Sequence, residues 1–169
     1  SVVEGKAEEI FRELTTHKLD LVITNYIPNG IDVKGLLHRS LSKQTICVFG
    51  SEKYKPLRKG FPESINGQPM ILPTYDSQLR SDLEHWFKTK SIKIDAVAES
   101  QDIGLKKLMA IDGIGLIPAA THTVNRQVLN GELYEIGKLN LISEELFLVS
   151  AQRKIQNSIA KELFKSFEI

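Results

Sequence analysis

The sequence predicts an α/β fold in which strands and helices alternate around mixed, mostly parallel sheets, and three observations carry that expectation. Short apolar or β-branched runs, "LDLVIT" (19–24), "MILP" (70–73), "IKIDAVAE" (92–99) and "GIGLIP" (113–118), are separated by segments of helical length. Those segments repeat apolar residues at spacings of three and four, the signature of an amphipathic helix. The strand "GIGLIP" is apolar throughout, as a parallel strand covered on both faces must be.

Each element follows from its residues. Ala7, Ile10, Phe11 and Leu14 mark a first helix over 6–16, and "LDLVIT" a strand after it. Pro28, Asn29 and Gly30 make the next stretch a loop. "LLHRSL" (36–41) and "QTICVFG" (44–50) read as two further strands. The stretch 52–69, with three prolines, two glycines and Lys53, Lys55, Arg58 and Lys59, reads as an irregular surface excursion whose charges are solvated. Leu79, Leu83, Trp86 and Phe87 define a helix face after "MILP", with Asp76 or Ser77 as its N-cap. Residues 100–112 are helical, with Ile103, Leu108, Met109 and Ile111 as apolar positions. Gly113 suits a left-handed helix end and Gly115 a close approach of strand to helix. Pro118 suits the first turn of a helix over 119–130, which Gly131 closes. "LYEI" is a short edge strand and "ELFLVSAQ" a return to the sheet. Ile155, Ile159, Leu163, Phe164 and Phe167 line a final helix.

Composition excludes several classes. The 169 residues are 41% hydrophobic and 25% charged, ordinary for a globular protein. A net charge of +1 offers no clustered basic surface for nucleic acid. No apolar run reaches the roughly 18 residues of a membrane span. The start "SVVEGKAEEI" has neither the basic nor the apolar part of a signal peptide, so a cytoplasmic setting is expected. The lone Cys47 makes no internal disulfide and no zinc site.

No catalytic constellation is visible. G-x-S-x-G, the P-loop pattern and H-E-x-x-H are absent from the sequence. His17, His38, His85 and His122 are scattered, so no catalytic residue, metal ligand or cofactor is assigned. Polar residues do collect where loops leave strands, the place where open α/β sheets bind ligands. Thr24-Asn25-Tyr26, Thr74-Tyr75-Asp76-Ser77 and Ser100-Gln101-Asp102 are the three sets, and the last two stand at helix starts, whose free amides favour anions or polar groups.

Three stretches carry a resemblance. "FRELTTHKLDLVIT", "QPMILPTYDSQLRSDLEHWF" and above all "ESQDIGLKKLMAIDGIGLIPAAT" resemble the effector-binding domain of LysR-type transcriptional regulators. His17 stands where that family usually has Gly, and Ile111-Asp112 replace its small residues before Gly113. Within the family, "HKLDLVIT", "LPTYDSQLRSDLEHWF" and "ELYEIGKLN" look closest to the regulators of sodium/proton antiporters.

The resemblance implies a two-lobed, type II periplasmic-binding-protein-like fold. Lobe I would join 1–42 to 147–169 and lobe II would span 46–143, with crossovers near 43–45 and 144–146. A small molecule or a monovalent cation would bind in the cleft, on Lys6, Ala7, Asn25, Tyr26, Thr74, Tyr75, Asp76, Ser77, Ser100 and Gln101. Asp102 joins that set from its strand-end position. For a cation, Asp76, Asp102 and Thr74 would supply hard oxygens. The domains would pair as a homodimer or higher oligomer, and DNA would be read only by a winged helix-turn-helix N-terminal to this region. "SVVEG" looks like the tail of the family's second strand. The first strand and helix of lobe I would then be missing, leaving open edges, so lobe I is expected to be rearranged or completed by a partner's strand. The other classes weighed are a solute-binding protein and an enzyme on the same fold.

Overall fold

The structure, a computed structural model, describes residues 2–27, 35–152 and 157–168, so the turn residues Pro28, Asn29 and Gly30, and Ile155 of the final helix, lie outside the described residues. The elements are α1 (Ala7–Thr15), β1 (Val22–Thr24), β2 (Leu36–Gly50), β3 (Pro69–Leu72), α2 (Gln78–Lys90), β4 (Asp95–Glu99), α3 (Ile103–Ile111), β5 (Ile117–Ala120), α4 (Thr121–Leu129), β6 (Tyr134–Ala151) and α5 (Ser158–Ser166). The chain divides into two compact units, residues 1–43 with 145–169, and residues 44–144.

The first unit packs α1 against one sheet face. Phe11 and Leu14, both fully buried, meet Val22, Leu36, Val149 and Ala151. Register is antiparallel between β1 and β6, with Val22 opposite Val149, and β1 stands at one end of the strand order β1-β6-β2-β5. Alternation along the strands turns Leu37 and Ser150 to the other face. There they line, with Phe164 and Lys161 of α5, a groove of about 330 Å³. None of α5 is buried; Ile159 is 68% and Leu163 42% exposed. Arg39 holds the helix by donating from Nε to the Phe164 carbonyl at 2.5 Å and from its second amine to that of Phe167.

The second unit has the larger core. Ile46, Val48, Met70, Leu72, Leu83, Trp86, Leu116 and Leu139 form one cluster; Phe49, Ile71, Ala110, Ile117 and Leu133 form another. β3 and β4 are parallel neighbours, with Leu72 opposite Glu99, and Met70 bridges in parallel to Leu116. β2 and β5 pair antiparallel, so the sheets are mixed.

Several sequence expectations change here. "LLHRSL" and "QTICVFG" are one strand, β2, because the polar link Ser42-Lys43-Gln44 stays extended and half-exposed rather than turning. "LYEI" and "ELFLVSAQ" likewise merge into β6, which lies inside the strand order and not at its edge. Pro118 lies in β5, opposite Val48, and not in a helix; β5 ends the strand order, where a residue without an amide hydrogen is tolerated. Gly115 approaches a strand: a Cβ there would lie 3.1 Å from the Pro69 carbonyl oxygen. The excursion over 52–69 is anchored, with Tyr54 and Ile65 buried, the Tyr54 hydroxyl donating to the Gly113 carbonyl at 3.2 Å, and Lys55 lying 4.1 Å over the Tyr134 ring. In α3 the inward stripe runs through Ile103, Lys106 and Ala110, which leaves Leu108 62% exposed.

Candidate functional site

The parallel pairing of β3 with β4 sets Leu72 beside Glu99, so the two strands deliver their following loops to the same place. The Ser100 amide donates to the Leu72 carbonyl at 3.0 Å and continues the ladder by one residue. Beyond it a turn closes when the Ser77 amide donates to the Thr74 carbonyl at 3.1 Å. Thr74, Asp76 and Gln101 come together. The Thr74 hydroxyl donates to Asp76 Oδ1 at 2.5 Å, and Gln101 Nε2 donates to Thr74 Oγ1 at 2.5 Å and to Asp76 Oδ1 at 3.2 Å. Two oxygens thus converge on one donor.

The two helix starts differ. Asp102 caps α3, accepting from the Gly104 amide at 2.7 Å and the Leu105 amide at 3.2 Å, and Ser100 Oγ accepts from the Asp102 amide at 3.1 Å. Those amides are therefore not free for an anion, contrary to the expectation from the strand end alone, because the chain supplies its own carboxylate. Ser77 occupies the N-cap of α2, one of the two positions expected, but its side chain makes no cap bond.

Beneath the loops lies a residue that the sequence alone did not single out. Arg80, 2% exposed, sits in the first turn of α2. Its Nε donates to Glu84 at 2.7 Å, and its Nη1 donates to Glu99 at 2.9 Å and to the Pro73 carbonyl at 2.8 Å. The Tyr75 ring covers the guanidinium, with 3.9 Å from carbon to ring centroid. Burial would lower its pKa, but the hydrogen bonds it donates to Glu84 and Glu99 outweigh that and raise it. One signal was available: Arg80 falls on the stripe of Leu83 and Phe87, three and seven residues on.

The first unit's candidates are local. Lys6 holds the N-cap position of α1 without a side-chain cap bond, and its carbonyl accepts from the Glu9 and Ile10 amides at 3.0 Å; Ala7 opens the helix. Thr24 Oγ1 donates to the Tyr26 carbonyl at 2.7 Å and folds the turn that presents Asn25 and Tyr26, both exposed. Elsewhere, desolvation pushes the buried Cys47 thiol up, away from thiolate reactivity. Among the described residues, no three His, Cys, Asp or Glu side chains gather to hold a metal, and no helix is long and apolar enough to cross a membrane.

The family model described as LysR substrate binding domain matches residues 1–168. The Escherichia coli (strain K12) transcriptional activator protein NhaR is 22% identical over 160 residues, 95% of this chain and 52% of that protein. The chain thus spans about half the length of the curated relatives it matches. Vibrio fischeri DarR, solved with DNA, aligns with a TM-score of 0.78 at 12% identity, covering 98% of this chain and 56% of that one. The Synechocystis CcmR regulatory domain, solved with 2-PG, aligns with a TM-score of 0.71 at 17% identity, covering 96% and 82%. At these identities the likeness establishes the fold, the type II periplasmic-binding-protein-like fold of those regulatory domains.

Proposed function

Because the chain belongs to the LysR substrate-binding domain family, whose matched relatives are transcriptional regulators and not enzymes, we propose that it is the effector-sensing part of a longer bacterial transcription factor. In that reading, residues 1–43 with 145–169 and residues 44–144 are the two lobes of the sensor. Loops at 74–77 and 100–102 in the second unit take the effector; within the first unit, the candidates are Lys6, Ala7, Asn25 and Tyr26. A ligand that favours one arrangement shifts the population toward it, and the intact protein, paired with a second copy, passes that shift to a DNA-binding domain in the cytoplasm.

One observation supports the location: Thr74 Oγ1 and Asp76 Oδ1 both accept from the Gln101 amide. An effector that brings a cation or a hydrogen-bond donor replaces that amide with little rearrangement. Sodium or lithium is the first candidate, since hard oxygens suit small hard cations. A small organic molecule bearing a donor is the second.

The test follows the fluorescence of Trp86, the only tryptophan, while sodium or lithium replaces potassium at fixed ionic strength, and then during titration with small organic acids and amines. A saturable change that weakens at least about tenfold in Asp76→Asn, the scale of one lost charge-assisted bond, and that holds or tightens in Gln101→Ala, which removes the displaced amide, supports the reading. A response untouched by both substitutions places the effector elsewhere.

A further inference from the structure

Arg80 is an anomaly where it stands. A cation in the first turn of a helix opposes the helix dipole, and a guanidinium 2% exposed has given up most of its hydration. It stays because three segments meet on it. Pro73, whose carbonyl it holds, is the residue before Thr74; Glu99, whose carboxylate it holds, is the residue before Ser100; Tyr75, which covers it, lies inside the first loop. Gln101 joins the same two loops above, through Thr74 and Asp76. The loops are therefore tied twice, by an exposed amide at their tips and by a buried fork at their roots.

We propose that Arg80 is the positioning residue of the effector-binding loops, its guanidinium fixing the Pro73 carbonyl and Glu99 so that Thr74, Asp76 and Gln101 converge. This rests on the reading of those loops as the effector site. The task suits Arg and not Lys, because only a planar fork reaches Glu84, Glu99 and a carbonyl at once. Tyr75 stays 74% exposed although its ring lies over the guanidinium. The same contact therefore presents an open aromatic face beside the converging oxygens.

Hydrogen exchange on the whole chain without added effector tests the assignment. In Arg80→Met, the Ser77 and Ser100 amides, which bond to the Thr74 and Leu72 carbonyls, are expected to lose protection about tenfold, the effect of one charge-assisted bond. Amides of the paired strands β2 and β5, which do not touch Arg80, are expected to keep theirs. Arg80→Lys restores charge without the fork and is expected to behave nearly as Arg80→Met, and Glu99→Gln to give a smaller loss at the same two amides. If Arg80→Met fails to fold, the other two variants carry the test. Unchanged exchange at both loops, uniform loss across the second unit, or full rescue by Lys overturns the proposal. No ligand enters these measurements, so a wild type silent to every titrated effector counts against the loops as effector site, while loop exchange alone decides the positioning role of Arg80.

Discussion

Arg80 and Lys106 are buried charges of opposite fortune. Arg80 is held by two carboxylates and a carbonyl, whereas burial lowers the pKa of Lys106 from 10.5, and Glu144 and Asp102 only partly oppose it. A lysine whose folded pKa lies below its unfolded one costs stability while both states are protonated. The cost fades as pH rises through the folded pKa and is gone above 10.5. Lys106→Met is therefore expected to stabilise the chain at pH 7 by about 1 kcal/mol, with the advantage shrinking as denaturant melts are repeated toward pH 10.5. His17 supplies a second case. Its φ of 63° is left-handed, a conformation that glycine adopts without strain, and His17→Gly is expected to stabilise the fold by about 1 kcal/mol in the same melts. The sequence showed the oddity of His17 directly. It hid Arg80, because an arginine on an apolar stripe reads as a solvated charge until the carboxylate opposite it, nineteen residues away at Glu99, is known.

At the scale of elements, helices were legible and strand ends were not. The face of α2 can be read from the spacing of Leu83, Trp86 and Phe87, which are all buried, since helical contacts are local in sequence. Strand limits depend on partners far along the chain: β2 runs unbroken past Lys43 because it is paired, not because its residues favour it. Pro118 misled for the same reason; its place opposite Val48 at the end of the strand order is a fact of topology. The polar residues at the ends of β3 and β4 were visible as strand-end candidates, but the convergence of Thr74, Asp76 and Gln101 needed the parallel register. Gly115 turns that register into a prediction. A Cβ there would press on the Pro69 backbone at 3.1 Å, and a carbonyl in the ladder with Leu116 cannot move aside. Gly115→Ala is expected to cost about 1–3 kcal/mol and to broaden the amide signals of Ile71 and Leu116.

For the whole molecule, the first unit carries the larger liability. α5 has no buried residue and presents Ile159 and Leu163 to solvent, and β1 ends the strand order. Apolar surface of this kind promotes association. Sedimentation is expected to show concentration-dependent self-association, reduced by Ile159→Lys with Leu163→Glu and unaffected by Leu108→Lys in the second unit. Near-balanced charge, 22 basic against 21 acidic residues, supplies little repulsion to oppose it.

The division of the chain at 43/44 and 144/145 also has a consequence in time. Residues 44–144 form an insertion, complete in one stretch of polypeptide, while the first unit needs the segments on both sides of it, with Val22 awaiting Val149. On the ribosome the insertion emerges whole while α1 and β1 still lack their strand partner. The second unit folds first, and α1 and β1, made before it, find their place after it.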